Sequence, residues 1–162
     1  MTDKKLKSHR VKIDKIDKEI YALIQKRASH AVAIGKIKSK VSPKESFYKP
    51  DRETKILRNI LNANKKGLLP DSKIRAIYKE LISGCLSLEE ILKVAYLGPE
   101  ATHSEAAVHN QFGSQALRIP TSTIDDVFYQ VINDDVNLGV VPVENSSEGV
   151  INTTLNCLAD SK

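Results

Sequence analysis

Apolar residues recur at alternating intervals of three and four from residue 13 to residue 41, and this repeat constrains the fold more than any other feature. Seven of its nine positions are aliphatic, and the two exceptions lie in the middle. The nine positions are Ile13, Ile16, Ile20, Leu23, Arg27, His30, Ile34, Ile37 and Val41. This spacing is typical of a long helix packed along a coiled-coil-like seam. The sequence therefore predicts one long helix from Arg10 to Val41.

Arg27 places a cation in the middle of this apolar seam. A buried cation without a partner costs about 3–5 kcal/mol, so we expect an anionic group to meet it. Lys38 follows eleven residues later, which returns it to nearly the same face of the helix, about 16 Å further along. Two long side chains can close on a small anion across that distance. A surface helix with one stray core arginine is the alternative.

Arg10 cannot join the same site within one chain. It lies twenty-eight residues before Lys38, which corresponds to a rise of about 42 Å along one helix. If all three cations serve one ligand, Arg10 must come from an antiparallel second copy of the chain. A two-fold dimer delivers it reciprocally, so the sequence favours a homodimer.

The composition is that of a soluble, globular protein. The 162 residues are 41% hydrophobic and 28% charged, and this length allows one domain or two small ones. No run of residues approaches the length of a membrane span, and the first residues lack the apolar segment of a signal peptide. We therefore expect a cytoplasmic protein with no membrane partner.

The net charge of +5 hides a division between two parts of the chain. Residues 1–93 hold 23 Lys and Arg against 11 Asp and Glu, whereas residues 94–162 hold 2 against 9. Such asymmetry favours two domains with different surfaces. The basic part suits a small polyanionic substrate. Nucleic acid is a weaker alternative, because aromatic residues are few and the lysines are scattered along helices, so we expect no nucleic-acid partner.

Neither the cysteines nor the histidines predict a metal or another cofactor. Cys85 and Cys157 are far apart and form no CxxC pair, so neither a disulfide framework nor a zinc site is indicated. The histidines show no ligand spacing; they are His9, His30, His103 and His109. We expect no metal and no cofactor.

Two further helices are predicted in the basic part. The first runs from about residue 50 to residue 66 and ends at Gly67. The second begins at about residue 70 and carries apolar side chains inward at helical spacing. These are Ile74, Tyr78, Leu81, Ile82, Cys85, Leu88 and Leu92. Glu89 lies one turn beyond Cys85 and so close to the same face.

Several of these residues together resemble the all-helical chorismate mutase domain over residues 1–92. They are Arg10, Arg27, Gly35, Lys38, the stretch FYKPDRE from Phe47 to Glu53, and the stretch SGCLSLEE from Ser83 to Glu90. The resemblance implies an intertwined homodimer of three-helix chains with two equivalent sites. It also implies an isomerase that converts chorismate to prephenate by a Claisen rearrangement. That reaction requires the substrate to be held in a reactive conformation. It also requires hydrogen-bond donors that point at the substrate atom on which negative charge develops.

The resemblance gives a role to five charged residues. It implies that Arg27 and the partner subunit's Arg10 bind the substrate carboxylates. It also implies that Lys38 points at the ether oxygen and that Glu53 meets the ring hydroxyl. Arg52 would support the same corner of the site.

Three more site residues follow from the resemblance. Lys49 aligns where some members carry a substrate-contacting acid, and Cys85 aligns where some have a serine, which would make it a wall of the site. Glu89 aligns with a glutamine that donates to the ether oxygen in several relatives. An ionised carboxylate has no proton to donate. We therefore hypothesise that protonated Glu89 shares this role with Lys38 and that activity falls as pH rises.

From Val94 onwards the spacing of the apolar residues changes, and the new pattern predicts three successive βα units. The predicted strands are 94–97, 116–119 and 138–141. The predicted helices run from Thr102 to about residue 113, over 122–133, and through about 150–158. Three such units in series predict a parallel sheet, with ligands at the carboxyl ends of its strands.

The stretches VAYLGPEATHSEAA and GVVPVENSSEG resemble the first lobe of prephenate dehydratase over residues 94–162. That fold is similar to the two-lobed periplasmic binding proteins. The resemblance implies a cleft lined by Thr102, Ser104, Glu144, Asn145 and Ser146. Ordinary helix capping by Thr102, Ser122 and Ser147 is the alternative interpretation of the polar loops.

The order of mutase before dehydratase resembles the bifunctional enzymes of phenylalanine biosynthesis. We therefore expect an α plus α/β chain, with a helical domain over 1–92 and a truncated parallel α/β lobe over 93–162. The Thr-Arg-Phe motif of the second dehydratase lobe does not occur in the 162 residues, so we expect mutase activity and little or no dehydratase activity. The alternative is a non-catalytic helical dimerisation and ligand-binding module.

Overall fold

Three α-helices make up most of the described residues in the first half of the chain. The computed structural model describes residues 2–41, 48–145 and 149–161. The helices are α1 (Thr2–Val41), α2 (Pro50–Ala63) and α3 (Asp71–Leu86), and a short 3₁₀ turn, Asn64–Lys66, follows α2. Across these described ranges, no helix is both long and apolar enough to cross a membrane.

Helix α1 is longer than the predicted stretch, because its first turns from Thr2 continue the helix that we expected from Arg10. Its C-terminal part packs against α3, where Ala31 and Gly35 are buried. The aliphatic residues nearer its N-terminus remain open to solvent, and Ile13, Ile16 and Ile20 are 47–55% exposed. Most of the predicted seam is therefore uncovered within one chain.

The prediction that α3 carries Leu88 and Leu92 inward was wrong. The helix ends at Leu86, where the hydroxyl of Ser87 donates to the carbonyl of Gly84 at 2.9 Å. Leu88 is 52% exposed, and Leu92 is buried in the core of the second half of the chain. Glu89 consequently lies in the turn after α3 and not on its helical face.

The second half contains a three-stranded parallel sheet with the order β2-β1-β3. Its main elements are β1 (Lys93–Leu97), α4 (His103–Phe112), β2 (Leu117–Thr121), α5 (Ile124–Ile132) and β3 (Leu138–Val140). Successive residues of β1 face opposite layers, as strand geometry requires. Val94 and Tyr96 pack with Val108 on one face, and Ala95 packs with Val127 on the other. The predicted parallel sheet is confirmed.

Threonines cap two of the helices in this part. Thr102 accepts a hydrogen bond from the backbone of Glu105, as predicted. Helix α5 is capped by Thr123, whose hydroxyl accepts from the backbone N–H of Asp126. The predicted cap at Ser122 was therefore wrong by one residue.

The end of the described chain differs from the prediction. A short antiparallel hairpin joins β4 (Glu144–Asn145) to β5 (Gly149–Val150), and α6 (Asn152–Asp160) follows. Val150 pairs with Glu144, so its expected place in a helix was wrong. The predicted caps and cleft residues Ser146 and Ser147 lie outside the described residues, as does most of the predicted break between the first two helices.

Candidate functional site

A cavity of about 430 Å³ lies where α1, α2 and the end of α3 meet. Its polar lining consists of Arg27, His30, Lys38, Tyr48, Lys49, Arg52, Glu53 and Glu89. Its apolar lining consists of Ala31, Ile34, Ile56, Ile82 and Leu86. The structure therefore brings together six of the charged residues that were predicted from sequence, from three separate segments.

Arg27 is the seam cation, and it is fixed against α3. Its Nη1 atom donates to the carbonyl oxygen of Leu81 at 3.2 Å. One neutral acceptor satisfies part of the guanidinium, which carries five N–H donors. The remaining donors suit an anion in the cavity that this residue lines.

Lys38 and Glu89 meet at the same cavity. The Nζ atom of Lys38 lies 3.1 Å from Oε2 of Glu89, and the Glu89 side chain is 12% exposed. Gly35 makes this approach possible, because a Cβ atom there would lie 3.1 Å from the Glu89 Cα. The site thus places an ammonium group and a carboxyl group side by side, with the carboxyl group largely shielded from solvent.

The first turn of α2 supplies another part of the lining. Lys49 is the N-cap residue and Pro50 occupies the first turn, a position for which proline is suited because no helical N–H bond is lost. Arg52 is exposed, whereas Glu53 is half-buried. Burial raises the pKa of Glu53, and this effect outweighs the opposing influence of the Lys79 ammonium and of a hydrogen bond with Tyr48.

The charges of the lining favour an anion. Four Lys and Arg side chains line the cavity against two carboxylates, which leaves a net charge of about +2 when all are ionised. A dianion of small size would balance this charge. The aliphatic wall offers a surface for a hydrophobic ring.

Two of the predicted mutase-site residues are not part of this lining. Arg10 lies on the exposed N-terminal part of α1, seventeen residues before Arg27, or about 26 Å along the helix. Cys85 is buried on α3, but it does not line the cavity. The roles of both residues stay predictions.

The predicted dehydratase residues are more dispersed. A cavity of about 390 Å³ is lined by Thr102, together with Glu105, His109 and Arg118. Ser104 is partly buried in the first turn of α4. Glu144 and Asn145 are exposed in β4, and neither lines this cavity. The structure therefore does not bring the five predicted residues into one pocket within the described part of the chain.

Sequence reasoning missed Tyr48. This residue lines the main cavity and also a second cavity of about 430 Å³ on the other side of α2. Glu53 likewise lines both cavities. An aromatic residue in a connecting segment carries no periodic signal. The available signal was its place in the stretch FYKPDRE, which resembles the mutase family.

The described residues contain no group of three or more His, Cys, Asp or Glu side chains that could hold a metal ion. The arrangement in the main cavity is one of donors, acceptors and apolar walls. Such a cavity can bind an anion, restrict its conformation and stabilise charge that develops on it.

Two family models match the chain. Residues 9–90 match the model described as chorismate mutase type II. Residues 94–162 match the model described as prephenate dehydratase. The two matches follow one another along the chain and do not overlap.

Curated relatives named bifunctional chorismate mutase/prephenate dehydratase match nearly the whole chain. The protein of Stutzerimonas stutzeri is 44% identical over 93% of this chain and 42% of its own length. The protein of Pseudomonas aeruginosa is 42% identical over 93% of this chain and 42% of its own length. That of Aquifex aeolicus is 46% identical over 96% and 43%. The chain therefore spans about two fifths of the length of these relatives.

Proposed function

Because the chain belongs to the chorismate mutase type II family, we propose that it converts chorismate to prephenate. The observation that carries the proposal is the cationic cavity in which Arg27, Lys38 and Glu89 meet. Chorismate carries two carboxylates and an ether oxygen. The cavity offers cations for the former and the Lys38 ammonium for the latter.

The proposed binding mode uses two chains. Arg27 binds one substrate carboxylate, and the partner subunit's Arg10 binds the other. The exposed aliphatic face of α1, with Ile13, Ile16 and Ile20 about half exposed, supports a homodimer that covers this face. Antiparallel pairing of two α1 helices brings each Arg10 towards the Arg27 end of its partner.

The proposed catalysis requires no nucleophile and no base. The rearrangement breaks the ether C–O bond as a new C–C bond forms, and negative charge develops on the ether oxygen. Lys38 donates to that oxygen, and Glu89 donates as well while it is protonated. In the ligand-free chain, Lys38 donates to the Glu89 carboxylate. When chorismate binds, its ether oxygen would therefore replace the Glu89 carboxylate as the acceptor for Lys38.

We propose two domains, 1–92 for the mutase and 93–162 for the dehydratase segment. The second segment would contribute Thr102 and Ser104 to a prephenate-binding cleft. We expect the purified chain to form little or no phenylpyruvate from prephenate. Phenylpyruvate at a rate comparable to chorismate turnover would contradict this expectation. The cytoplasmic location also stays a prediction.

Chorismate depletion by the purified chain tests the mutase proposal. Wild-type protein should consume chorismate and form an equal amount of prephenate, whereas Arg27→Ala should lose nearly all turnover. Arg75→Ala is the matched control, because this exposed arginine lines only the second cavity. A wild-type chain that binds chorismate but leaves it unchanged would instead support the non-catalytic binding module.

A further inference from the structure

Tyr48 lies at the junction between the helical segment and the α/β segment. Its ring packs edge to face on Phe112 at the end of α4, with ring centroids 5.4 Å apart and planes inclined by 71°. It also packs against the core that contains Val94 and Tyr96. A residue of the mutase cavity is therefore anchored in the other half of the chain.

The hydroxyl of Tyr48 lies between two polar side chains. Tyr48, Gln111 and Glu53 line the second cavity together. Burial raises the pKa of Tyr48 above its ordinary value, the Gln111 side chain lowers it, and the neighbouring Glu53 carboxylate raises it. The same contact lowers the pKa of Glu53. The three side chains therefore form a cluster at the second cavity, in which Gln111 and Glu53 are polar neighbours of Tyr48.

Independent contacts fix the end of α4 against α3. The Lys79 ammonium donates to the carbonyl oxygens of Asn110 and Gln111. Glu80 accepts hydrogen bonds from the backbone and the hydroxyl of Ser114. The Lys79 contacts satisfy two carbonyl oxygens at the C-terminus of α4. Gln111 lines the second cavity together with Tyr48.

A glycine allows the two segments to approach this closely. Gly113 has a φ of 79°, and a Cβ atom there would lie 2.6 Å from the Cβ of Ser83 on α3. Any larger residue would be strained by its backbone conformation and would push α4 away from α3. The close approach of α4 to α3 therefore depends on the glycine at position 113.

We propose that the end of α4 is a positioning element of the mutase site, in which Gln111 orients Tyr48 and Tyr48 orients Glu53 towards the substrate. The inference rests on the proposed mutase function. In the proposed arrangement, the Gln111 amide donates to the Tyr48 hydroxyl, that hydroxyl donates to one carboxylate oxygen of Glu53, and the other oxygen accepts from the ring hydroxyl of chorismate. A residue of the dehydratase segment thereby sets the substrate affinity of the mutase site.

The expected kinetic signature is a change in KM with little change in kcat. The bond between the ring and its hydroxyl group neither breaks nor forms in the rearrangement, so the contact of this hydroxyl with Glu53 contributes to both the ground state and the transition state. Loss of one hydrogen bond in the chain should raise KM about fivefold. A variant that merely leaves a fraction of the molecules unfolded would lower the apparent kcat, because fewer molecules are active, and would leave KM unchanged.

The test measures chorismate kinetics of the 162-residue protein with Gln111→Ala, Tyr48→Phe and the double variant. Each single variant should raise KM about fivefold, and the double variant should raise it no further, because both changes break the same chain. Gln111→Glu keeps the size of the side chain but removes its donor, so it should behave as Gln111→Ala does. Asn110→Ala is the matched control, since its side chain lines the cavity on the other side of α4.

The outcomes separate this inference from the mutase proposal. A wild-type chain without chorismate turnover overturns the mutase proposal and the inference with it. Wild-type turnover combined with an unchanged KM in Gln111→Ala and Gln111→Glu overturns the inference alone. Equal KM effects of Gln111→Ala in the wild-type and Tyr48→Phe backgrounds also overturn it, because Gln111 would then not act through Tyr48.

Discussion

The ammonium group of Lys38 lies 3.1 Å from the carboxylate of Glu89, although the two residues are 51 positions apart in the chain. The ion pair joins α1 to the turn that follows α3. It also fixes the distance between the two groups that we propose to act on the ether oxygen of chorismate. The packing of α1 on that turn should therefore affect activity.

Replacing Glu89 with glutamine should change the pH dependence of turnover. A glutamine amide donates at every pH, whereas Glu89 donates only while protonated. The hypothesis drawn from the family resemblance, that protonated Glu89 donates to the ether oxygen, requires wild-type kcat to fall as pH rises and kcat of Glu89→Gln to stay level. At the alkaline end of the pH range, kcat of Glu89→Gln should exceed that of wild type by about a hundredfold, which is the typical effect of one such donor. Steady-state chorismate kinetics between pH 5 and 9 measure this difference. A variant that keeps the wild-type profile would show that Glu89 is not the donor.

Replacing Gly35 with alanine should impair activity more than stability. The added methyl group would lie 3.1 Å from the Glu89 backbone and 3.3 Å from its Cβ, so the turn that carries Glu89 must move away from Lys38. Alanine also gains about 1 kcal/mol of helix propensity, which offsets the strain. We expect kcat to fall about tenfold, because catalysis is sensitive to misplaced groups, while the thermal midpoint changes by only a few degrees.

Gly84→Ala provides the control for that experiment. Gly84 also lies within a helix, but a Cβ atom there would meet nothing within 4 Å. This variant should gain up to about 1 kcal/mol of stability and keep wild-type kcat. Equal kinetic losses in the two variants would point to a general effect of alanine and not to the contact between Gly35 and Glu89.

Glu53→Gln should stabilise the ligand-free protein at neutral pH. Burial raises the pKa of Glu53 above its ordinary value of 4.5, so the folded chain binds this proton more tightly than the unfolded chain does. The resulting contribution to stability is complete below the unfolded pKa and is lost as pH rises through the folded pKa. Glutamine carries no charge and avoids this loss. The gain should be about 0.5 kcal/mol, because solvent screens the half-buried carboxyl.

Urea unfolding at fixed protein concentration measures that gain. The difference in the free energy of unfolding should be present at pH 7 and disappear below about pH 4, where Glu53 is protonated in both states. A variant that is less stable than wild type at pH 7 would mean that the contacts with Lys79 and Tyr48 outweigh the cost of burial.

The fold was largely predictable from periodicity. The three-four spacing predicted α1, and the change of period after residue 93 predicted the parallel sheet. The errors arose where tertiary packing, and not the local sequence pattern, determines the position of a residue. Leu92 continues the apolar pattern of α3, but it leaves the helix because the core around Val94 and Tyr96 buries it. Val150 pairs with Glu144 in a hairpin that no local pattern indicates.

The cavity was predictable only in part. Arg27 and Lys38 share a helix, so helix geometry alone places them on one face. Glu53 and Glu89 were identified by resemblance, because nothing local distinguishes them from solvated acids. Tyr48 could not be identified as a lining residue, since its partner Phe112 lies 64 residues further along the chain. Contacts of this kind follow from the packing of α4 on α3.

Mixing two inactive variants tests the central claim most directly, namely that each site combines Arg27 of one chain with the partner subunit's Arg10. Purified Arg10→Ala and Arg27→Ala should each show almost no turnover of chorismate. After subunit exchange of equal amounts, half of the dimers carry one intact site, so turnover should recover to about a quarter of the wild-type value. Turnover that stays at the level of the separate variants after exchange would contradict a site shared between two subunits.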